Sequence, residues 1–250
     1  MINKFIKLNQ NTSYLFDRVF LNNKYSVDGL LDFETEIAPK LIKKNYTIYD
    51  VGGGKIPFVN LKQKNTLNLK IIGVDIDEAE LNQAPKNSYD KIVVSDIAEY
   101  NPKKPEANLV ICKAVLEHVN DTSSAITAIT KCLKKEGKAA LFIPCKNSIF
   151  AHLNTLLPEN IKKQILYRVF PQTQHAQGFP AYYNMCTPKK ILALCADNGL
   201  EVELLKPYYF VSYFSFFFPI HFFWRLSQLI INPFMPIQYS ESFTVIAVKK

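Results

Sequence analysis

Apolar residues recur along this chain in two patterns, short strand-like runs and longer stretches with helical spacing. Stretches of helical or loop character separate the apolar runs, so we expect the strands to pair in parallel through crossovers. The pattern predicts a Rossmann-like, doubly wound α/β sheet whose ligands bind beyond the carboxyl ends of the strands. The expected strands are Thr47–Val51, Ile71–Ile76, Lys91–Ser95, Asn108–Lys113, Ala139–Pro144, Glu201–Tyr209 and Ser242–Val248.

Helical spacing is found at both ends of the chain and in its middle. In residues 1–47, apolar residues recur at helical spacing among polar ones, which predicts helices there. The pattern of Ala125–Leu133 predicts another helix, which Gly137 would end just beyond it. A stripe of leucines, isoleucines and a valine between Leu153 and Val169 predicts another helix, and Pro188–Asn198 a further one. These segments would cover the two faces of the sheet.

Composition narrows the class of protein. Of 250 residues, 48% are hydrophobic and 21% are charged, which excludes a disordered chain. The net charge of +8 favours an anionic partner, and a nucleic acid, an anionic membrane surface or a phosphorylated substrate all fit. Five cysteines are scattered without a CxxC pair, which supports neither a disulfide framework nor a zinc site. Reduced thiols and the lack of a visible secretory signal favour a cytoplasmic protein.

The first candidate binding element is the run Asp50-Val51-Gly52-Gly53-Gly54 at the end of an expected strand. Glycines let the backbone turn tightly and approach a ligand closely, and a following helix N-terminus would favour an anionic group. An ordinary glycine-rich turn is the alternative.

Two acidic residues end the next two expected strands. Asp75 follows the glycines by about 20 residues, the spacing at which a carboxylate binds both ribose hydroxyls of a nucleoside. Asp96 could meet the exocyclic amine of an adenine while Ile97 covers its ring, although a helix N-cap explains Asp96 equally well. A nicotinamide-dependent dehydrogenase is disfavoured, because Pro57 stands where the third glycine of G-x-G-x-x-G is needed.

These elements, with Ala114–Val119 and Lys131–Gly137, resemble the class I S-adenosylmethionine-dependent methyltransferases, in their broad small-molecule branch, over roughly residues 45–147. The resemblance implies seven strands with the last one antiparallel, and S-adenosylmethionine as cofactor. It also implies the residues that surround each part of the cofactor. They are Asp50, Gly52, Gly53 and Gly54 at the methionine part, Asp75 and Ile76 at the ribose, Asp96 and Ile97 at the adenine, and Lys113 beside the sulfonium.

Candidate catalytic and acceptor residues lie further along. Glu117 and His118 follow the fourth strand, where His118 could act as a general base or the pair could only support the pocket wall. His175, Tyr182 and Tyr183 lie in a polar and aromatic loop that is the best candidate for a lid over an acceptor, although both tyrosines could instead pack in the core.

An aromatic segment, residues 208–231, exceeds what one helix face can bury. It is expected to form a hydrophobic hairpin packed over the sheet edge or in a homodimer interface. One alternative is an interfacial element that inserts into a membrane surface, with Arg225 facing anionic lipid. Another is a hydrophobic tunnel that holds the acceptor.

Together these features predict a methyltransferase acting on a small-molecule or lipid- or glycan-linked acceptor. A nucleic-acid methyltransferase is one alternative, and a non-catalytic cofactor-binding or membrane-associated adaptor is another. Nucleic acid is the less favoured partner, because no basic cluster interleaved with aromatics is present. We divide the chain into an N-terminal helical cap (1–44), a cofactor-binding core (45–148) and an acceptor-side region with the last two strands (149–250). The expected location is the cytoplasm, with peripheral contact at the inner face of a membrane through 208–231.

Overall fold

A seven-stranded sheet forms the centre of the molecule in the computed structural model, which describes residues 2–156, 158, 164, 167 and 179–250. The strand order is β3-β2-β1-β4-β5-β7-β6, and β7 alone runs antiparallel to its two neighbours. This arrangement confirms the predicted fold. The strands are β1 Thr47–Val51, β2 Lys70–Asp75, β3 Lys91–Val94, β4 Ala107–Lys113, β5 Leu133–Pro144, β6 Leu200–Tyr208 and β7 Ser242–Lys249.

The parallel register brings three strand ends to one edge of the sheet. Val51, the last residue of β1, pairs with Val74 of β2 and with Cys112 of β4. The residues that follow these strands therefore lie side by side, which is where a doubly wound sheet binds its ligands.

Helices cover both faces of the sheet, and each face has its own hydrophobic core. The N-terminal side contributes Phe33 and Ile42 to one core, whereas Ile126 and Ile191 belong to the other. The described helices are α1 Ile2–Phe20, α2 Gly29–Asp32, α3 Ala38–Leu41, α4 Leu61–Thr66, α5 Glu78–Asn82, α6 Thr122–Cys132, α7 Ile149–Leu156, α8 Pro188–Asp197 and α9 Phe218–Ile231, with a π-helical turn at Phe33–Ile37 between α2 and α3. The division of the chain at residues 44 and 148 stays a prediction.

Two local expectations near the sheet are wrong. Irregular backbone, and not a helix, follows the glycines. The next helix, α4, begins at Leu61 and is capped by Asn60. Gly137 does not close a helix either. It lies inside β5, in a bulge of the pairing with β4. Between two successive paired positions, β4 runs from Ala107 to Leu109 whereas β5 runs from Leu133 to Lys138. A Cβ at Gly137 would lie 2.8 Å from the Ala107 carbonyl oxygen, so the bulge requires glycine there.

The aromatic segment forms a helix, α9, and the expected hairpin is wrong. His221, Arg225 and Gln228 are fully buried on its inner side. Arg225 therefore does not face lipid, because its guanidinium donates to both carboxylate oxygens of Asp17 in α1. The apolar pattern failed to predict this helix because the side that faces the protein is polar.

Among the described residues, no helix is both long enough and apolar enough to cross a membrane.

Candidate active site

Two adjoining cavities lie at the carboxyl edge of the sheet. The strand-end cavity, of about 380 Å³, extends over the ends of β1, β2 and β4. The glycine cavity, of about 290 Å³, lies against the glycine turn. Val51, Gly52, Asp75 and Phe179 line both, so the two cavities meet at Asp75. Small-molecule sites typically have volumes of roughly 300–1,000 Å³.

The glycine turn leaves no room for a side chain at Gly52 or Gly53. Gly52 has φ +71°, and a Cβ there would lie 2.1 Å from Cγ2 of Val115. A Cβ on Gly53 would lie 2.5 Å from the Asp50 carboxylate, and Gly54 also has a positive φ of +48°. The turn therefore requires glycine for both conformation and space.

Asp50 anchors this turn from beneath. Its buried carboxylate accepts a hydrogen bond from the backbone N–H of Phe58 at 2.8 Å. Burial raises the pKa of Asp50 to about 6, against the opposing effects of the Phe58 hydrogen bond and the charge of Lys113. The Tyr89 hydroxyl donates to the Gly54 carbonyl at 3.0 Å and fixes the other end of the turn.

Asp75 lies where the two cavities join. One carboxylate oxygen accepts the backbone N–H of Asp77 at 3.0 Å. The other faces the turn, 3.3 Å from the place a Cβ of Gly54 would take. Burial raises the pKa of Asp75 above its usual value. The neighbouring Ile76 lines the strand-end cavity and is 60% exposed, so this apolar side chain is available to a ligand.

Asp96 and Ile97 line the far side of the strand-end cavity. One carboxylate oxygen of Asp96 accepts the backbone N–H of Ala98 at 2.8 Å, so Asp96 stabilises a turn. No helix lies between β3 and β4, so the expectation of a helix N-cap at Asp96 is wrong. Ile97 is buried yet contributes to the cavity wall. The pair thus forms an apolar wall with a carboxylate beside it.

Lys113 lines the glycine cavity and not the strand-end cavity. Its ammonium pairs with the Glu34 carboxylate at 2.6 Å, so the π-helical turn of the N-terminal region reaches the site. Sequence reasoning missed Glu34, because 79 positions separate it from Lys113.

His118 and Glu117 occupy different environments. His118 lines the strand-end cavity, and its Nδ1 donates to the Pro180 carbonyl oxygen at 2.9 Å, since that oxygen can only accept. Glu117 lies buried behind the wall, with its carboxylate 3.8 Å from Nε2 of His118. Burial raises the pKa of Glu117 to about 8, so it is largely protonated at neutral pH.

Of the three acceptor-side candidates, Tyr182 lines the strand-end cavity. Tyr183 is buried, with φ +51°, and its hydroxyl accepts a hydrogen bond from Asn154. The backbone N–H groups of both tyrosines donate to the Glu117 carbonyl oxygen, at 2.8 Å and 3.0 Å. His175 lies outside the described residues.

Phe179 is the main residue that sequence reasoning did not single out. Its ring borders both cavities and lies 6.3 Å from the His118 ring, nearly edge-on. The available signal was its place between Gly178 and Pro180, in the loop already marked as a candidate lid.

Comparisons with known proteins relate this chain to methyltransferases. Residues 49–141 match the family model described as a methyltransferase domain. A malonyl-[acyl-carrier protein] O-methyltransferase of Ilyobacter polytropus is 26% identical, over 79% of this chain and 71% of the relative. A ubiquinone biosynthesis O-methyltransferase of Neisseria meningitidis is 25% identical, over 64% of this chain and 65% of the relative. The match to the Neisseria protein thus spans slightly less than two thirds of its length.

Solved structures share the fold. The S-adenosylmethionine-dependent methyltransferase of Mesorhizobium loti superimposes with a TM-score of 0.56 at 12% identity, covering 90% of this chain and all of that one. Residues 49–141 of this chain therefore form a methyltransferase domain, and the chain has the fold of the class I S-adenosylmethionine-dependent methyltransferases.

Proposed function

We propose that this chain transfers a methyl group from S-adenosylmethionine to a hydroxyl group of a small organic acceptor, free or lipid-linked. The observation that carries the proposal is the pair of cavities joined at Asp75. The glycine turn borders one of them, and Asp96 with Ile97 borders the other. His118 and Tyr182 supply a polar wall where an acceptor would lie.

The residues fit the cofactor in shape and in charge. The turn at Gly52–Gly54 lines the glycine cavity with backbone alone, and we assign this cavity to the methionine part of the cofactor. Asp75, with Ile76, is assigned to the ribose, and the wall of Asp96 and Ile97 to the adenine. When bound, S-adenosylmethionine supplies an electrophilic methyl group on a sulfonium.

We assign Lys113 to the carboxylate of the methionine part. Lys113 lines the glycine cavity and not the strand-end cavity, and a second cation beside a sulfonium would be repelled. Glu34 offsets part of the lysine charge at 2.6 Å, which limits that repulsion. This assignment replaces the expectation that Lys113 lies beside the sulfonium.

His118 is proposed to act as general base. Because Nδ1 carries the proton donated to Pro180, Nε2 of the neutral ring is free to accept one from a hydroxyl. Glu117 is assigned to the wall and not to the chemistry, because its protonated carboxyl adds no negative charge beside His118 at neutral pH.

Charge at the site supports a small acceptor over a nucleic acid. Among the described residues that line the two cavities, the only lysines or arginines are Lys55 and Lys113. Each is paired with a glutamate, Lys55 with Glu80 at 2.9 Å and Lys113 with Glu34 at 2.6 Å. A nucleic-acid site would need unpaired cations along the phosphate path. The two relatives described above, both named as O-methyltransferases, support transfer to oxygen.

Calorimetry with S-adenosylmethionine, followed by a methyl-release screen over phenols, carboxylic acids and lipid-linked hydroxyls, tests the proposal. Absence of cofactor binding would contradict it. With an acceptor in hand, His118→Gln should lower kcat by about 10²–10⁴-fold with little change in KM, the usual contribution of a general base. His152→Gln, an exposed histidine on α7, is the control. A higher KM with kcat retained would mean that His118 only shapes the wall.

A further inference from the structure

Helix α9 has the reverse of the usual arrangement, with its polar side buried and its apolar side in solvent. His221, Arg225 and Gln228 are fully buried. Phe223 is 67% exposed and Ile230 is 59% exposed. Surface helices of soluble domains normally bury the apolar stripe, so a buried polar side opposite an exposed apolar side requires an explanation.

Specific hydrogen bonds hold the buried polar side of α9, so the sequence specifies the orientation of this helix. Arg225 donates to Asp17 through Nε at 3.0 Å and through Nη2 at 2.5 Å. His221 contacts the same carboxylate at 2.8 Å. Gln228 and Arg225 both donate to the carbonyl of Tyr209 at 2.9 Å. Rotating α9 about its axis to bury the apolar side would leave these charged groups without partners, at a large cost in free energy.

Helix α1 adds a second exposed apolar stripe beside the first. Phe5, Leu8, Leu15 and Val19 lie on one side of α1 and are 51–65% exposed. Successive members are three, seven and four positions apart, so they share one helix face. We call them the α1 stripe, and we call Phe223, Leu226 and Ile230 the α9 stripe.

The two stripes belong to one surface. Phe5 contacts Phe217 at 6.3 Å, and further along both helices Phe16 contacts Phe222 at 5.5 Å, so α1 and α9 run in the same direction. The half-buried rings of Phe16 and Phe222 join the stripes. Phe234, which follows α9, is 84% exposed and extends the apolar character. We call the two stripes together the outer face.

Charge around the outer face has one sign. Asp17 is the only acidic residue in 2–24, and 209–240 contains none. Asp17 is buried against Arg225. The exposed charges on α1 are basic and lie beside the apolar stripe, at Lys4, Lys7 and Arg18. An apolar face with a basic border matches the surface of an anionic bilayer.

We propose that the outer face of α1 and α9 lies flat on an anionic lipid bilayer. Helix α9 has 14 residues, about 21 Å at 1.5 Å per residue, so it is shorter than the roughly 30 Å hydrocarbon core. Its polar inner side stays against the protein, and only the α9 stripe enters the lipid. A symmetric dimer through the same face would bring two basic borders together, which favours lipid over a second copy. The expected membrane contact of residues 208–231 is thereby restricted to their outward side chains.

Vesicle flotation tests this docking surface. Wild-type protein should float with vesicles of phosphatidylcholine containing 30% phosphatidylserine, bind pure phosphatidylcholine at least tenfold more weakly, and detach as salt rises. Phe223→Ser with Ile230→Ser should weaken binding at least tenfold. The matched control is Ile92→Ser with Val94→Ser, which changes two exposed apolar side chains on the edge strand β3 and should float like wild type.

Light scattering and a melting curve on the same proteins show whether a lipid surface or a second copy of the chain covers this face. The proposal requires a monomer whose melting temperature and affinity for S-adenosylmethionine survive the Phe223 and Ile230 changes. A dimer that these changes dissociate, with no flotation of wild type, would assign the face to a second copy and overturn the proposal. Equal binding to neutral and anionic vesicles would overturn the role given to the basic border. Since cofactor affinity is measured separately, failure here leaves the proposed function unaffected.

Discussion

Replacing the Asp75 carboxylate by an amide should weaken cofactor binding without disturbing the fold. Asp75→Asn keeps the oxygen that accepts the Asp77 N–H at 3.0 Å, so the turn after β2 should be retained. The change removes the charge and converts the oxygen facing Gly54 into a donor group, at the junction of the two cavities.

The magnitude follows from hydrogen bonds to a charged acceptor. A net contribution of about 1.5–3 kcal/mol is typical of hydrogen bonds to charged groups. At about 1.4 kcal/mol per factor of ten, Asp75→Asn should raise the dissociation constant of S-adenosylmethionine roughly 10–150-fold. Protonation of Asp75 in the wild type should act like the substitution, because the neutral carboxyl also loses its charge.

Affinity should therefore depend on pH through this residue. Burial raises the pKa of unliganded Asp75, and hydroxyl donors favour its charged form, so wild-type affinity should fall as the pH drops toward that pKa. Burial raises the pKa of Asp50 to about 6, and the charge of Asp75 adds to that rise. The pH dependence of affinity is therefore compared between wild type and Asp75→Asn, in which Asp50 should titrate at a lower pH.

Titration calorimetry from pH 5 to 8 measures these effects. Asp77→Asn is the control, since it removes the same charge two positions away while keeping the oxygen that caps α5. It should bind within about twofold of wild type. If Asp75→Asn also binds that tightly at pH 8, the ribose assignment is refuted.

Three further predictions concern the turn, the wall and the buried ion pair. Gly52→Ala should abolish cofactor binding. The control is Gly199→Ala, because Gly199 has a similar φ of +72° and a Cβ there would meet nothing within 4 Å; this change should cost only about 1–2 kcal/mol of stability. Calorimetry measures the binding and melting curves measure the stability. Because the pKa of Glu117 rises from 4.5 to about 8 in the fold, folding binds a proton, and stability should decline between those pH values by up to about 1.4 kcal/mol per unit through this group. In Glu117→Gln, urea unfolding should show a smaller decline, and an unchanged pH dependence would refute the pKa. Arg225→Met leaves Asp17 buried without its main partner and should cost about 3–5 kcal/mol in urea unfolding; a loss below about 1 kcal/mol would show that the pair is not buried.

Sequence reasoning succeeded where local pattern decides the structure. β1 is an apolar run that ends in glycines, and Asp75 and Asp96 end neighbouring strands, so the parallel register alone brings them together. Their arrangement around the cavities needed no knowledge of distant contacts.

The failures have a common cause in contacts between distant parts of the chain. Asp17 and Arg225 are 208 positions apart, and only their pairing explains why the polar side of α9 faces inward. Tyr182 and Tyr183 are adjacent, yet one lines the cavity and the other is buried. The positive φ of Tyr183 and the two hydrogen bonds to the Glu117 carbonyl decide this, and neither can be read from residue type.

A crystal structure with bound S-adenosylhomocysteine tests the central claim most directly. The account predicts the adenine beside Asp96 and Ile97, both ribose hydroxyls within hydrogen-bond distance of the Asp75 carboxylate, and the amino-acid end at the turn Gly52–Gly54. The sulfur should then face the side of the strand-end cavity that holds His118 and Tyr182. Electron density that places the ribose away from Asp75, or the ligand outside the two cavities, would contradict the account.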